Sequence, residues 1–322
     1  MKEKKMFRLS LNEAVLLGAF VFVALIGVVA NENFLTVRNI LSVFQQMSEM
    51  GIMALGLTIV ILTGGIDLSC GSVMGLCAVT SGICLTSGIG VVPTLLISMA
   101  LSLVCGIMNG ILVAWVKIPP MIATLGTQMF FYGLALVLSE GNSISGIPQS
   151  FYFLGQDKFL GIPVQAVLFL TFWVILLIML RKKRLGKYIY AIGNNSKAAL
   201  YSGVAVTKIL VVVYMLGAFL SCIAGNIQVA RVATARADMG STFLMQCISA
   251  VVLGGTSMNG GIGGVTGTVI GITIFAMIGN IMNLVGITSF WQQLATGSIL
   301  ILVIVFNRVA ESGKFKWKKS TS

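Results

Sequence analysis

Long apolar runs, interrupted by very few charges, fix the solvent in which this chain can fold. Of its 322 residues, 57% are hydrophobic and 9% are charged, with a mean hydropathy of +1.01. Soluble domains carry about a quarter charged residues. So little polar material cannot cover this much apolar surface in water, and lipid must cover much of it. A spanning helix needs about 20 apolar residues. Ten segments come near this, at 11–31, 40–62, 70–89, 93–116, 121–139, 163–180, 209–230, 243–258, 263–284 and 290–307. The expected fold is therefore an all-α integral membrane protein of about ten transmembrane helices, a single domain over 1–322. The first segment opens on a capping-box pattern, Ser10 to Glu13. Its length and the lack of a small-x-small cleavage site predict a retained helix rather than a signal peptide.

The net charge of +12 is arranged for topology and not for nucleic acid. Basic residues gather in three blocks flanking apolar runs: Lys2 to Arg8, Arg181 to Lys208 and Arg308 to Lys319. If all three face the cytoplasm together with Lys117, only Arg38, Lys158, Arg231 and Arg236 of the 21 basic residues remain for the outer face. This predicts basic cytoplasmic tails at 1–10 and 308–322 and a cytoplasmic loop at 181–208. An even number of spans must separate successive blocks; six plus four satisfies this, and eight spans in all remain an alternative. The six cysteines lie in apolar segments without CxxC spacing and read as small core residues. Histidine is absent, and Gly186-Lys187 is followed by Tyr188, so there is neither a His-based metal motif nor a P-loop.

Glycines mark where the helices break. The third and eighth segments each adjoin a Gly pair and read as possible half-helices. Val60-Ile61-Leu62-Thr63-Gly64-Gly65 is echoed by Val251-Val252-Leu253-Gly254-Gly255, a faint internal repeat of the kind that builds transporters around broken helices. Pairs at i, i+4 (Gly71/Gly75, Gly106/Gly110, Gly260/Gly264, and Gly263, Gly267 and Gly271) allow close helix contact, and for most of them tight packing is a sufficient explanation.

Asp67, between the second and third segments, stands out as the only acid deep between apolar runs. A charge there costs about 2.5–3.5 kcal/mol on insertion scales and needs a partner or a watery cavity. Capping a helix that begins near Leu68, with the carboxylate bonded two or three residues on, is the plainer role. With Ser69, the neutral polar residues Asn109, Thr124, Gln128, Gln246, Asn280 and Asn283 are candidates for a translocation pathway, because hydroxylated solutes need amide and hydroxyl partners. Asn226 lies in a span as well. Thr124/Gln128 and Asn280/Asn283 share helix faces by spacing. Hydrogen-bonded glue between helices is the alternative for about half of them.

The stretch Gly193, Asn194, Asn195, Ser196, Lys197, Ala198, Ala199, Leu200, Tyr201, Ser202, Gly203 reads as one short capped helix. Too short to hold alone in water, it needs docking against its own membrane domain or against a partner. The residues leave these two choices even.

Four strings carry a family likeness: Leu62-Thr63-Gly64-Gly65-Ile66-Asp67-Leu68-Ser69-Cys70-Gly71-Ser72; Lys117-Ile118-Pro119-Pro120-Met121-Ile122-Ala123-Thr124-Leu125-Gly126; Leu185-Gly186-Lys187-Tyr188-Ile189-Tyr190-Ala191-Ile192-Gly193; and Ala250-Val251-Val252-Leu253-Gly254-Gly255-Thr256-Ser257. In their order and spacing the chain resembles the permeases of the ribose-type family of bacterial ABC importers over nearly its whole length. The resemblance implies a non-catalytic, multi-pass subunit of the bacterial inner (plasma) membrane with both termini cytoplasmic. It implies pairing with a second permease copy or a related permease, and two ABC ATPase subunits beneath that hold ATP-Mg. It also implies an extracytoplasmic sugar-binding protein, a coupling role for 193–203 against the ATPase, and alternating-access import of a monosaccharide such as ribose or another pentose. No cofactor is expected on this chain and no nucleic-acid partner. One departure is visible. Where the family commonly has an acidic Glu-Leu-Asp before the last string, this chain has Leu244, Met245 and Gln246, and Gln246 is expected to take over part of that polar role. A nucleoside or autoinducer-type cargo is an alternative within the same class. An ion-driven secondary transporter is the alternative outside it, but would need paired intramembrane titratable groups, of which Asp67 alone is evident. No nucleophile–base set for an intramembrane enzyme is present.

Overall fold

A computed structural model describes residues 11–311; the expectations for 1–10 and 312–322, including the cap at Ser10, lie outside the described residues. Twelve α-helices follow one another: α1 (Leu11–Ala30), α2 (Val37–Leu62), α3 (Cys70–Thr86), α4 (Val91–Ala114), α5 (Pro120–Ser139), α6 (Val164–Lys182), α7 (Arg184–Asn194), α8 (Ser196–Tyr201), α9 (Val206–Val232), α10 (Ser241–Leu253), α11 (Val265–Leu284) and α12 (Ser289–Glu311). The α5–α6 connection holds a 3-10 turn (Gln149–Leu154) and a two-residue hairpin, β1 (Lys158–Phe159) with β2 (Ile162–Pro163), paired antiparallel.

Helices stand at each of the ten expected segments, but they are unequal. Among the described residues six are long and apolar enough to cross a membrane by length and composition: α2, α4, α5, α6, α9 and α11. The two suspected half-helices are indeed short, α3 with 17 residues and α10 with 13. At 1.5 Å per residue they reach about 25 and 20 Å, against a hydrocarbon core of about 30 Å. The eighth segment ends at Leu253 rather than 258 because the glycine pair stops it: Gly255 adopts φ +82°, where side-chain-bearing residues are strained.

The core is built around α2. Every residue from Met47 to Leu62 is buried, and this end of the helix, apolar but for Ser48, Glu49 and Thr58, is sheathed by α6, α9, α10 and α11. Helices α4, α5 and α6 turn large apolar side chains outward, among them Val104, Phe130 and Ile175. Small residues set the closest approaches. A Cβ on Gly106 or Gly110 of α4 would stand 2.5 Å from Met215 Cα or 2.6 Å from Val211 Cα of α9. Packing therefore accounts for this pair, as it does for Gly267 and Gly271, which lie against Gly254 and Ala250. Gly260 and Gly264 differ from expectation. Neither is inside a helix; Gly260 sits in a turn at φ +87°, and Gly264 precedes α11.

Candidate functional site

A buried polar chain assembles at the α2–α3 break. Thr63 and Gly64 end α2, Gly64 with φ +81°, and the chain crosses to α3 through Asp67, which is almost wholly buried. Asp67 Oδ1 accepts hydrogen bonds from the Ser69 backbone N–H (2.8 Å) and from Ser69 Oγ (2.6 Å). The carboxylate thus bonds two residues on, as expected, but as an Asx turn ahead of the helix: α3 begins at Cys70 rather than near Leu68, and Ser69, not Asp67, stands at its N-cap. Asn109 of α4 donates Nδ2 to Ser69 Oγ (2.7 Å), and its Oδ1 accepts from Thr127 Oγ1 of α5 (2.6 Å). Thr124 closes the circle by donating to the Ile66 carbonyl (3.0 Å). Each donor points along the chain toward Asp67, so burial is matched by hydrogen bonding at every step. Next to this network the Tyr214 hydroxyl is buried without a protein partner and crowds Gly65, where a Cβ would stand 2.7 Å away.

Four of the sequence-selected residues, Asp67, Ser69, Asn109 and Thr124, therefore meet. The others do not join them. Thr127, three residues after Thr124, takes the place expected of Gln128, which is only half-buried. Asn280 and Asn283, though three apart, have separate partners. Asn280 exchanges amide hydrogen bonds with Asn39 of α2 (2.9 and 2.7 Å), while Asn283 Oδ1 accepts from Gln292 (2.7 Å). Gln246 is half-buried on α10, below a buried Leu244. Asn226 forms a second knot, accepting from Ser81 Oγ (2.7 Å) and donating to Ser98 Oγ (3.2 Å), which ties α9 to α3 and α4.

One expectation is overturned. Asp67 is not the only deep acid, because Glu49 of α2 is fully buried and paired in a bidentate fashion with Arg231 of α9. Arg231, assigned to the outer face by charge counting, reaches inward with its side chain 32% exposed. Sequence reading missed the pair because Glu49 and Arg231 lie 182 positions apart. Glu49 follows Gln45, Gln46 and Ser48, in the less apolar first half of its segment, so local composition does not set it apart.

The 193–203 stretch also differs from its expectation. It is not one helix: Gly193 and Asn194 finish α7, Asn195 breaks the chain at φ −162°, and α8 restarts at Ser196. Asn195 Oδ1 accepts from the Ala198 N–H (3.0 Å), the expected cap, and Gly203 turns the chain at φ +82°. Packing against the molecule's own helices is real on one face: Ala199 is buried with Ile192 and Val204, and Ile209 and Leu210 of α9 cover them. The other face is open, with Leu200 59% and Tyr201 88% exposed.

Helix α7 carries this element to the glycine breaks. At Gly193 a Cβ would collide with the Leu62 carbonyl and the Gly261 N–H, and at Gly260 it would lie 2.6 Å from Gly64 N and 3.0 Å from Gly193 Cα. Gly261 N–H donates to Leu62 O (3.0 Å), and Tyr190 Oη donates to Gly263 O (2.8 Å). The α2–α3 glycine break, the Gly260-Gly261 turn between α10 and α11, and α7 thus meet at one junction, while Gly254 of the echoed pair packs on Gly267. Half-burial pushes the Tyr190 hydroxyl up from its ordinary pKa, so it remains a donor at neutral pH.

The family model described as branched-chain amino acid transport system / permease component matches residues 39–305. The ribose import permease protein of Bacillus subtilis is 40% identical over 294 residues, 91% of this chain and 91% of that protein. Its namesake in Escherichia coli is 34% identical over 303 residues, 92% and 93% of the two chains. The autoinducer 2 import system permease protein of Escherichia coli is 35% identical over 269 residues, 81% of each. No solved structure matches the chain.

Proposed function

This chain belongs to the branched-chain amino acid transport system / permease component family and is the non-catalytic membrane subunit of a ribose-type ABC importer; from that premise we propose that it imports ribose or a closely related pentose. The observation that carries the substrate is the likeness to ribose import permeases from two distant bacteria along nine-tenths of both chains. The chain crosses the bacterial inner membrane ten times, with both termini and the 181–208 loop in the cytoplasm, which matches the basic blocks and the ten helices. Helices α3 and α10 are its half-length members, and the echo of Val60–Gly65 in Val251–Gly255 supports an inverted repeat. A second permease faces it across the pathway, and an extracytoplasmic sugar-binding protein delivers the solute.

Coupling runs through α7 and α8. The open face around Leu200 and Tyr201 docks on the ATPase, where ATP-Mg is held. Closure of the ATPases moves α8, and α7 transmits the motion to the glycine junction and so to the Asp67 break. The buried set Asp67, Ser69, Asn109, Thr124 and Thr127 holds that break together as it moves; Gln246, on α10, belongs to the wall of the pathway. Reconstitution with the ATPase and the binding protein tests this. ATP-dependent uptake of labelled ribose is expected, and uptake that needs only an ion gradient would overturn it. Autoinducer 2-type cargo is the second reading, favoured by the 35% likeness to an autoinducer 2 import permease. Direct competition between the two solutes decides between them.

A further inference from the structure

The chain between α9 and α10 is neither a surface loop nor a helix. It leaves α9 at Ala233 (φ +55°) and runs antiparallel along α3, bridged at Ala235 and turning over 237–240. Ala235 faces Gly82, where a Cβ would stand 2.8 Å from it. Ala237 faces Gly75, and the Gly240 carbonyl comes 2.7 Å from a Cβ on Gly71. On its other flank Ala235 pairs with Ile144 through two backbone hydrogen bonds of 2.9 Å. From the outer end of α3 at Thr86 to Gly75 is 11 residues, about 17 Å at the helical rise, roughly halfway through a hydrocarbon core of about 30 Å. Ala235 and Ala237 are buried against α3, leaving the more exposed side chains to Arg236 and Asp238. Those two form a bidentate pair, Nε to Oδ1 2.9 Å and Nη2 to Oδ2 2.7 Å, with side chains 53% and 46% exposed.

A half-exposed ion pair at this depth cannot face lipid, because charges inside a membrane line a watery cavity or find buried partners. Arg236 uses two of its five N–H donors, and the carboxylate keeps free lone pairs. Together they offer donors beside acceptors, the complement of neighbouring hydroxyl groups. The surface continues onto α10, where Thr242 and Met245 are exposed and Gln246 is half-exposed.

Resting on the importer reading above, we propose that Arg236 and Asp238 line the translocation pathway and contact the vicinal hydroxyls of the imported solute, with Gln246 next along the route. The full transporter in proteoliposomes, with ribose and 2-deoxyribose as probes, tests it. Asp238→Asn and Arg236→Gln are expected to cut ribose uptake about tenfold, the order set by a lost charge-assisted hydrogen bond. They should also shrink the preference for ribose over 2-deoxyribose, which a merely structural defect would not change. Basal ATPase activity should persist, reporting intact assembly. Because the six native cysteines are buried, Asp238→Cys can be probed with a membrane-impermeant thiol reagent added from the binding-protein side; it should react. Variants that keep uptake within about twofold with unchanged preference, or an assembled Asp238→Cys that does not react, would overturn the proposal. Wild-type vesicles that take up no pentose would sink the substrate reading instead, and the thiol reaction would still decide whether the pair faces water.

Discussion

At the residue scale, the buried polar groups set the tolerances of this protein. Asn109 bridges Ser69 and Thr127, so Asn109→Ala removes a buried hydrogen bond from each, leaving Ser69 its bond to Asp67 and Thr127 its bond to the Thr124 carbonyl. The expected cost is about 1–3 kcal/mol, read as a lower unfolding temperature in detergent; an unchanged value would show that the network is idle. Glu49 is the more demanding case. Removing one member of a buried ion pair costs about 3–5 kcal/mol, whereas replacing both members by apolar groups is often neutral. Glu49→Leu should fall near the low end of that range, since water reaches part of Arg231. Adding Arg231→Met should recover most of the loss. A double-mutant cycle in thermal denaturation checks this, and a double variant no better than the single one would mean that Glu49 acts apart from Arg231.

At the element scale, the α7–α8 arm is held rigidly at one end and open at the other. Any side chain at Gly193 meets the Leu62 carbonyl at the end of α2 and the Gly261 backbone of the α10–α11 turn. Gly193→Val should therefore spring the junction: ATPase activity of the assembled transporter persists while ribose uptake falls about tenfold or more. Equal retention of both would show that α7 transmits nothing. Tyr201 touches little of its own chain, so Tyr201→Ala should leave unfolding unchanged yet weaken copurification of the ATPase. Tyr190 gives a pH expectation. Its raised pKa means that its neutral form, the donor to Gly263, is favoured by folding. That contribution is present below the ordinary tyrosine range and is lost only as pH climbs through the raised value. Between pH 6 and pH 8, Tyr190→Phe should therefore weaken coupling by the same factor at every pH.

For the whole molecule, orientation is the governing property. The proposed topology, with the basic blocks inside, puts the 181–208 loop in the cytoplasm. Protease added to right-side-out vesicles should leave it intact, and permeabilised vesicles should be cut there. Cleavage from outside would invert every assignment of side, including the outer access to Arg236 and Asp238.

Much of this was legible in the sequence. The ten helices follow from apolar runs flanked by charges, because lipid rewards unbroken hydrogen-bonded backbone and punishes charge wherever in the fold a segment lies. The Asp67 bond to Ser69 and the Asn195 cap were legible for a similar reason: both are local, reaching two or three residues along the chain. What only the tertiary structure decided is which distant groups meet. The Glu49–Arg231 pair, the choice of Thr127 over Gln128, the junction of Gly64, Gly193 and Gly260, and the dip of Arg236 and Asp238 along α3 all join residues far apart in sequence. Their partners are set by how helices cross and how closely glycine lets backbones approach. Neither hydropathy nor periodicity encodes that.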